Sequence, residues 1–113
     1  MMSEAKQQGF KTRLLARLDE IAAGEALGRA GKQVVKLDQQ AVGRLSRMDA
    51  LQSQAMAQAA SRLRAGEERR VRAALVRIKE GEYGYCAECG ESIALARIEH
   101  DPAVALCISC AGS

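Results

Sequence analysis

Aromatic residues are nearly missing from this chain of 113 residues: it has no Trp, and Phe10, Tyr83 and Tyr85 are the whole complement. A thick core built on large rings is excluded, and the commonest residue, Ala, favours helix over bulk. Proline occurs once, as Pro102, which argues against a Pro-rich disordered tail and against an all-β domain punctuated by turns. Long apolar runs are also lacking, so no segment reads as a bilayer span. Residues Met1 to Lys11 mix charge with Gln and Gly and contain no apolar stretch of the kind a secretory signal needs. The expectation is a cytoplasmic protein with no membrane association. Its length suits one domain of ordinary size.

What the chain does have is charge, unevenly distributed. The formal net charge is +3. Residues 1–61 carry nine bases against six acids, and residues 62–79 carry seven against two. Residues 80–113 reverse the sign, with six acids and a single base, Arg97. All four cysteines lie in this acidic zone.

Apolar residues recur at helical spacing through Val42, Leu45, Met48, Met56, Ala59, Leu63, Ala74, Leu75 and Ile78, with Arg, Gln and Glu between them. A helix from Gln39 to Glu80 would be on the order of 60 Å long and would need a partner. Asp38 is a good N-cap for it, with Leu37 and Val42 at the positions of a hydrophobic staple. Upstream, Leu14, Leu15, Leu18, Ile21 and Ala22 form a second stripe, from about Glu4 to Ala26. Gly24, Gly28 and Gly31 then weaken helix propensity by about 1 kcal/mol each. The reading is mainly α: an antiparallel, coiled-coil-like helical hairpin over residues 1–80 with its turn near 27–38, then a small module over 81–113 that begins at the Gly81 and Gly84 punctuation.

Cys86-Ala87-Glu88-Cys89 and Cys107-Ile108-Ser109-Cys110 form two Cys-x-x-Cys pairs at the spacing of a four-thiolate zinc site. Each pair lets one tight turn present two sulfurs, and Gly90 supplies permissive backbone after the first. Two disulfides would be reduced in a cytosolic chain, and a thioredoxin-like centre would need a βαβ context that this pattern lacks. Four thiolates leave no open position for a catalytic water, and no nucleophile and base set is visible. The lone His100, between the pairs, reads as an exposed loop residue. The expectation is one structural Zn2+ per chain on Cys86, Cys89, Cys107 and Cys110, in a protein that is not an enzyme. Ile93, Leu95, Ile98, Val104 and Leu106 are too small an apolar set to fold this module without metal.

Charge opposes nucleic acid as the module's partner, since an acidic segment repels phosphate. The basic run Arg62, Arg64, Arg69, Arg70, Arg72, Arg77 and Lys79 reads as a solvated helix face, partly paired with Glu67 and Glu68, with weak, salt-sensitive DNA contact as the alternative. A further alternative is a structural protein whose zinc thiolates respond to oxidants.

Tyr83-Gly84-Tyr85-Cys86-Ala87-Glu88-Cys89-Gly90-Glu91-Ser92-Ile93, then Ala96-Arg97-Ile98-Glu99-His100-Asp101-Pro102 and the second Cys pair, resembles the DksA/TraR zinc-finger family. The resemblance is strong in residues from about Gly81 onward, and the preceding hairpin is also what that family has. It implies a transcription regulator, here a small DksA-like paralogue, that binds RNA polymerase and inserts its hairpin tip into the secondary channel, often together with ppGpp. The family's tip carries Asp-x-x-Asp-x-Ala. The best match is Asp38-Gln39-Gln40-Ala41-Val42-Gly43, in which Asp38 carries over while Ala41 and Gly43 depart. The resemblance therefore points to Asp38, Gly43, Arg44 and Arg47 as polymerase-facing candidates and leaves the response to ppGpp open.

Overall fold

The computed structural model describes residues 2–41 and 44–112, with side chains outside 29–46. Helix α1 spans Glu4–Ala41 and helix α2 spans Arg44–Glu80. Two short helices follow, α3 at Leu95–His100 and α4 at Ile108–Ala111. The described residues contain no strand, only an isolated antiparallel bridge between Tyr85 and Ser92. No helix among them is long and apolar enough to cross a membrane.

Local chemistry sets the helix ends. The Lys6 N–H donates to Ser3 Oγ at 3.2 Å, which caps the start of α1, and Glu4 in the first turn suits the helix dipole. At the end of α2 the Glu82 N–H donates to the Arg77 carbonyl at 2.9 Å and the Gly81 N–H to the Ile78 carbonyl at 3.2 Å. That pair of bonds is a Schellman motif, and Gly81 supplies the positive φ of 78° it requires.

The chain divides into two compact units. One consists of Met1–Leu18 with Glu68–Ser113, and the other is Asp19–Glu67. In the first unit Phe10 and Leu14 of α1 join Val71 and Ala74 of α2 in a buried cluster that continues into Tyr83, Cys86, Ile93, Ile98 and Ala103. The few large side chains are spent here: Leu14, Ile98 and Val71 are the largest fully enclosed ones, and the rings of Phe10 and Tyr83 meet at 6.1 Å with a 48° tilt.

In the second unit the two helices meet through small and polar groups. Ile21 and Ala50 are buried, and Ala57, Ala60 and Ser61 are half-buried. The Ser61 hydroxyl donates to Glu25 Oε1 at 2.7 Å and Arg64 Nε to Glu25 Oε2 at 2.9 Å. Met48, Met56 and Leu63, expected on the contact stripe, are 64%, 69% and 76% exposed. Ala50, Ala57, Ala60 and Ser61 occupy the inward positions in their place.

The turn expected near 27–38 is not there. Those residues belong to α1, so Asp38 lies inside a helix and does not cap the next one, and the interruption falls between Ala41 and Arg44. Glycine propensity misleads here because Gly24 and Gly28 are contact positions. A Cβ on Gly24 would lie 3.3 Å from Arg64 Cδ, and one on Gly28 would lie 3.0 Å from Arg64 Nη2. The bare backbone lets Arg64 lie across α1 to reach Glu25, and that packing offsets the intrinsic cost.

Candidate metal centre

Two backbone knuckles present the cysteines. In the first, the Cys86 N–H donates to the Glu91 carbonyl at 2.7 Å and the Gly90 N–H to the Cys86 carbonyl at 3.0 Å, with Gly90 at φ 77°. This tight reversal turns Cys86 and Cys89 to the same side. In the second, Cys107 caps α4, the Ala111 N–H donates to its carbonyl at 2.9 Å, and Cys110 follows within that helix. The Ala87 N–H donates to the Ala105 carbonyl at 2.8 Å and joins the two knuckles directly.

Several side chains hold the segment between them. The Tyr83 hydroxyl donates to the Pro102 carbonyl at 2.7 Å, and Asp101 Oδ1 accepts from the Ala103 N–H at 3.1 Å to shape the turn around the only proline. Arg97 donates to the Leu106 carbonyl at 3.0 Å and Arg77 to the Val104 carbonyl at 3.3 Å, so two guanidinium groups grip the backbone just ahead of Cys107. Arg13 donates to the Glu99 carbonyl at 3.0 Å and Arg70 pairs with Asp101. These clamps were not read from the sequence. Arg97 gave the one available signal, as the single base in an acidic segment.

The four cysteines are free of disulfides, and their sulfurs all lie within 4.8 Å of one another. Sulfurs each about 2.3 Å from a central tetrahedral zinc would be about 3.8 Å apart. The Sγ atoms of Cys89 and Cys107 are 3.7 Å apart, so the set fits such an ion. Backbone N–H groups of Cys89 and Cys107, pointing at the Cys86 sulfur, hold its thiol down to about 6 from 9.0. The neighbouring thiols Cys107, Cys86 and Cys89 push Cys110 the other way, well above the ordinary thiol range. At Cys89 the Glu91 N–H favours the thiolate but is outweighed by partial loss of solvent around the sulfur and by the thiols of Cys86 and Cys107. Sulfurs this close resist ionising together, and a divalent cation among them removes that conflict.

His100 closes α3 and is exposed, not in a loop, and it is not among the clustered ligand atoms. Of the tip candidates, Asp38 lies in α1, Arg44 opens α2, and Arg47 is an exposed residue of α2. Gly43 lies outside the described residues. In the basic run of α2, Arg64, Arg70, Arg72 and Arg77 all have partners within the chain.

A helical hairpin joined to a four-cysteine knuckle pair defines a zinc-finger protein of mainly α class. Residues 81–113 match the family model described as the prokaryotic dksA/traR C4-type zinc finger. The fold is similar to that of transcription factor DksA2 from Pseudomonas aeruginosa, with a TM-score of 0.84 at 23% identity, over 97% of this chain and 83% of that one. No curated protein matches the chain in sequence.

Proposed function

We propose that the protein is a DksA-type transcription regulator that acts in the cytoplasm by binding RNA polymerase through its secondary channel, without catalysing a reaction. The observation that carries this reading is the DksA/TraR-type finger at residues 81–113 on a DksA-like fold that covers 97% of the chain. One structural zinc ion belongs on Cys86, Cys89, Cys107 and Cys110. When bound it ties the two knuckles together and adds its binding energy to folding. On this reading Asp38, Gly43, Arg44 and Arg47 are the residues that meet the polymerase.

Pull-down with RNA polymerase, followed by transcription from a stringent promoter with and without ppGpp, tests this. Binding is expected, along with altered transcription that weakens on charge reversal at Asp38 or at Arg44 and Arg47. Failure to associate at low salt refutes it. Direct nucleic-acid binding by the 62–79 helix has less support, since four of its bases are already engaged within the chain. An oxidant-responsive centre has one specific observation in its favour, the exposure of Cys89. Zinc release by mild peroxide, coupled to a change in polymerase binding, would identify it.

A further inference from the structure

The four sulfurs are not equally enclosed. Cys86 is 3% exposed, and backbone N–H groups of Cys89, Cys107 and Glu88 face its sulfur. The other three, Cys89, Cys107 and Cys110, line an open groove of about 760 Å³. The rest of its wall sets the small, exposed Ala94 and Ala96 beside Glu91, Arg97 and Ile108, the one large apolar side chain, which is 77% exposed. His100 also lines it. The sulfur cluster is thus backed by protein at Cys86 and open on the side of the other three. The groove's volume falls within the range that accepts small organic molecules.

We propose that this groove is an entry site for small thiol- or nitrogen-donor ligands, through which the centre exchanges its zinc by direct substitution. The inference rests on the zinc reading given above. With zinc bound, the thiolate of Cys89, an exposed residue on the groove side, would be the first that an incoming donor displaces. The bonding pair stays on that sulfur, which takes a proton from water. Displacement of Cys107 and Cys110, and finally of Cys86, would complete the transfer; no electrons change owner, so no oxidant is needed. A site enclosed on every side would release metal only through local unfolding, at a rate set by that opening and blind to the acceptor. Here the acceptor sets the rate, and the ion would exchange while the module stays folded.

Zinc stoichiometry of the full chain is measured first, and release to pyridylazoresorcinol is then followed by stopped flow over a range of chelator concentrations. The expected rate rises in proportion to chelator concentration, without a plateau. Ala96→Trp and Ile108→Trp, at positions that hold no metal, are expected to slow it several-fold while equilibrium zinc affinity and far-UV circular dichroism stay at the parent's values. A release rate independent of chelator concentration in the parent protein overturns the proposal, whatever the variants do. A preparation that binds no zinc at the four cysteines overturns the underlying zinc reading instead.

Discussion

Leu14 and Leu15 are neighbours of identical chemistry on α1, yet Leu14 is 2% exposed and Leu15 is 47% exposed. Leu14 lies in the cluster with Phe10, Val71 and Ala74. Truncating it to Ala removes apolar atoms from an enclosed site, for a transfer loss of about 2 kcal/mol, and leaves a cavity that brings the total to about 3 kcal/mol. Leu15→Ala removes atoms already half in water and leaves no enclosed void. Ala is also at least as good a helix former as Leu, so the expected cost is below about 1 kcal/mol. Urea unfolding followed by far-UV circular dichroism, at fixed free zinc so that metal binding adds the same increment to each variant, measures both. A gap of about 2 kcal/mol with unchanged m-value is expected. Costs equal to within about 0.5 kcal/mol would refute the burial pattern and with it the facing of α1 on α2.

Tyr83→Phe removes the hydroxyl that donates to the Pro102 carbonyl at 2.7 Å and should cost about 1 kcal/mol in the same assay. Burial pushes the Tyr83 phenol up from 10.0 to about 12, against the opposing pull of Arg77. The folded state therefore holds this proton more tightly than the unfolded chain, and the stability it contributes is complete below pH 10.0 and is lost as pH rises to about 12. Phenolate absorbance in a Tyr85→Phe background checks this, and titration at the ordinary value would contradict it. Two glycines should respond with opposite signs. Gly9→Ala, where a Cβ meets nothing within 4 Å, stabilises α1 by about 1 kcal/mol, whereas Gly84→Ala, at φ 94° and 2.7 Å from Met2 Cε, destabilises by about 1 kcal/mol or more in thermal melts. Chelation should unfold residues 81–113 while α1 and α2 keep most of their helical signal. Hydrogen exchange at Ile93 and Ile98 reads the outcome, and continued protection without metal would contradict it.

The metal centre was the most legible part of the chain, because ligand spacing is a local property: a Cys-x-x-Cys turn positions two sulfurs whatever surrounds it. The helix stop at Gly81 was local in the same way. The connection between α1 and α2 was not legible, since it depends on a residue far along the chain. Gly24 and Gly28 look like helix breakers until Arg64 is placed across them. The same non-local cause separates Leu14 from Leu15, and puts Met56 in water while Ala50 is buried. Hydrophobicity identifies the candidates for burial, but which of them face inward depends on the partner helix. The arginine clamps on the carbonyls of Glu99, Val104 and Leu106 were invisible for a related reason, since a backbone acceptor carries no sequence signature.

The cluster that unites Phe10 and Leu14 with Val71, Ile98 and Ala103 also constrains the order of events during synthesis. The α1 side of that cluster leaves the ribosome first, and its partners in the finger leave last. At ~5–20 residues per second the gap is on the order of ten seconds, during which Phe10 and Leu14 have no native partner in the finger. The second unit, Asp19–Glu67, is contiguous and can pair its helices in the meantime. The fold would therefore be completed from the middle of the chain outward, and the ribosome-bound intermediate would expose its largest apolar side chains near the N-terminus until the last knuckle emerges.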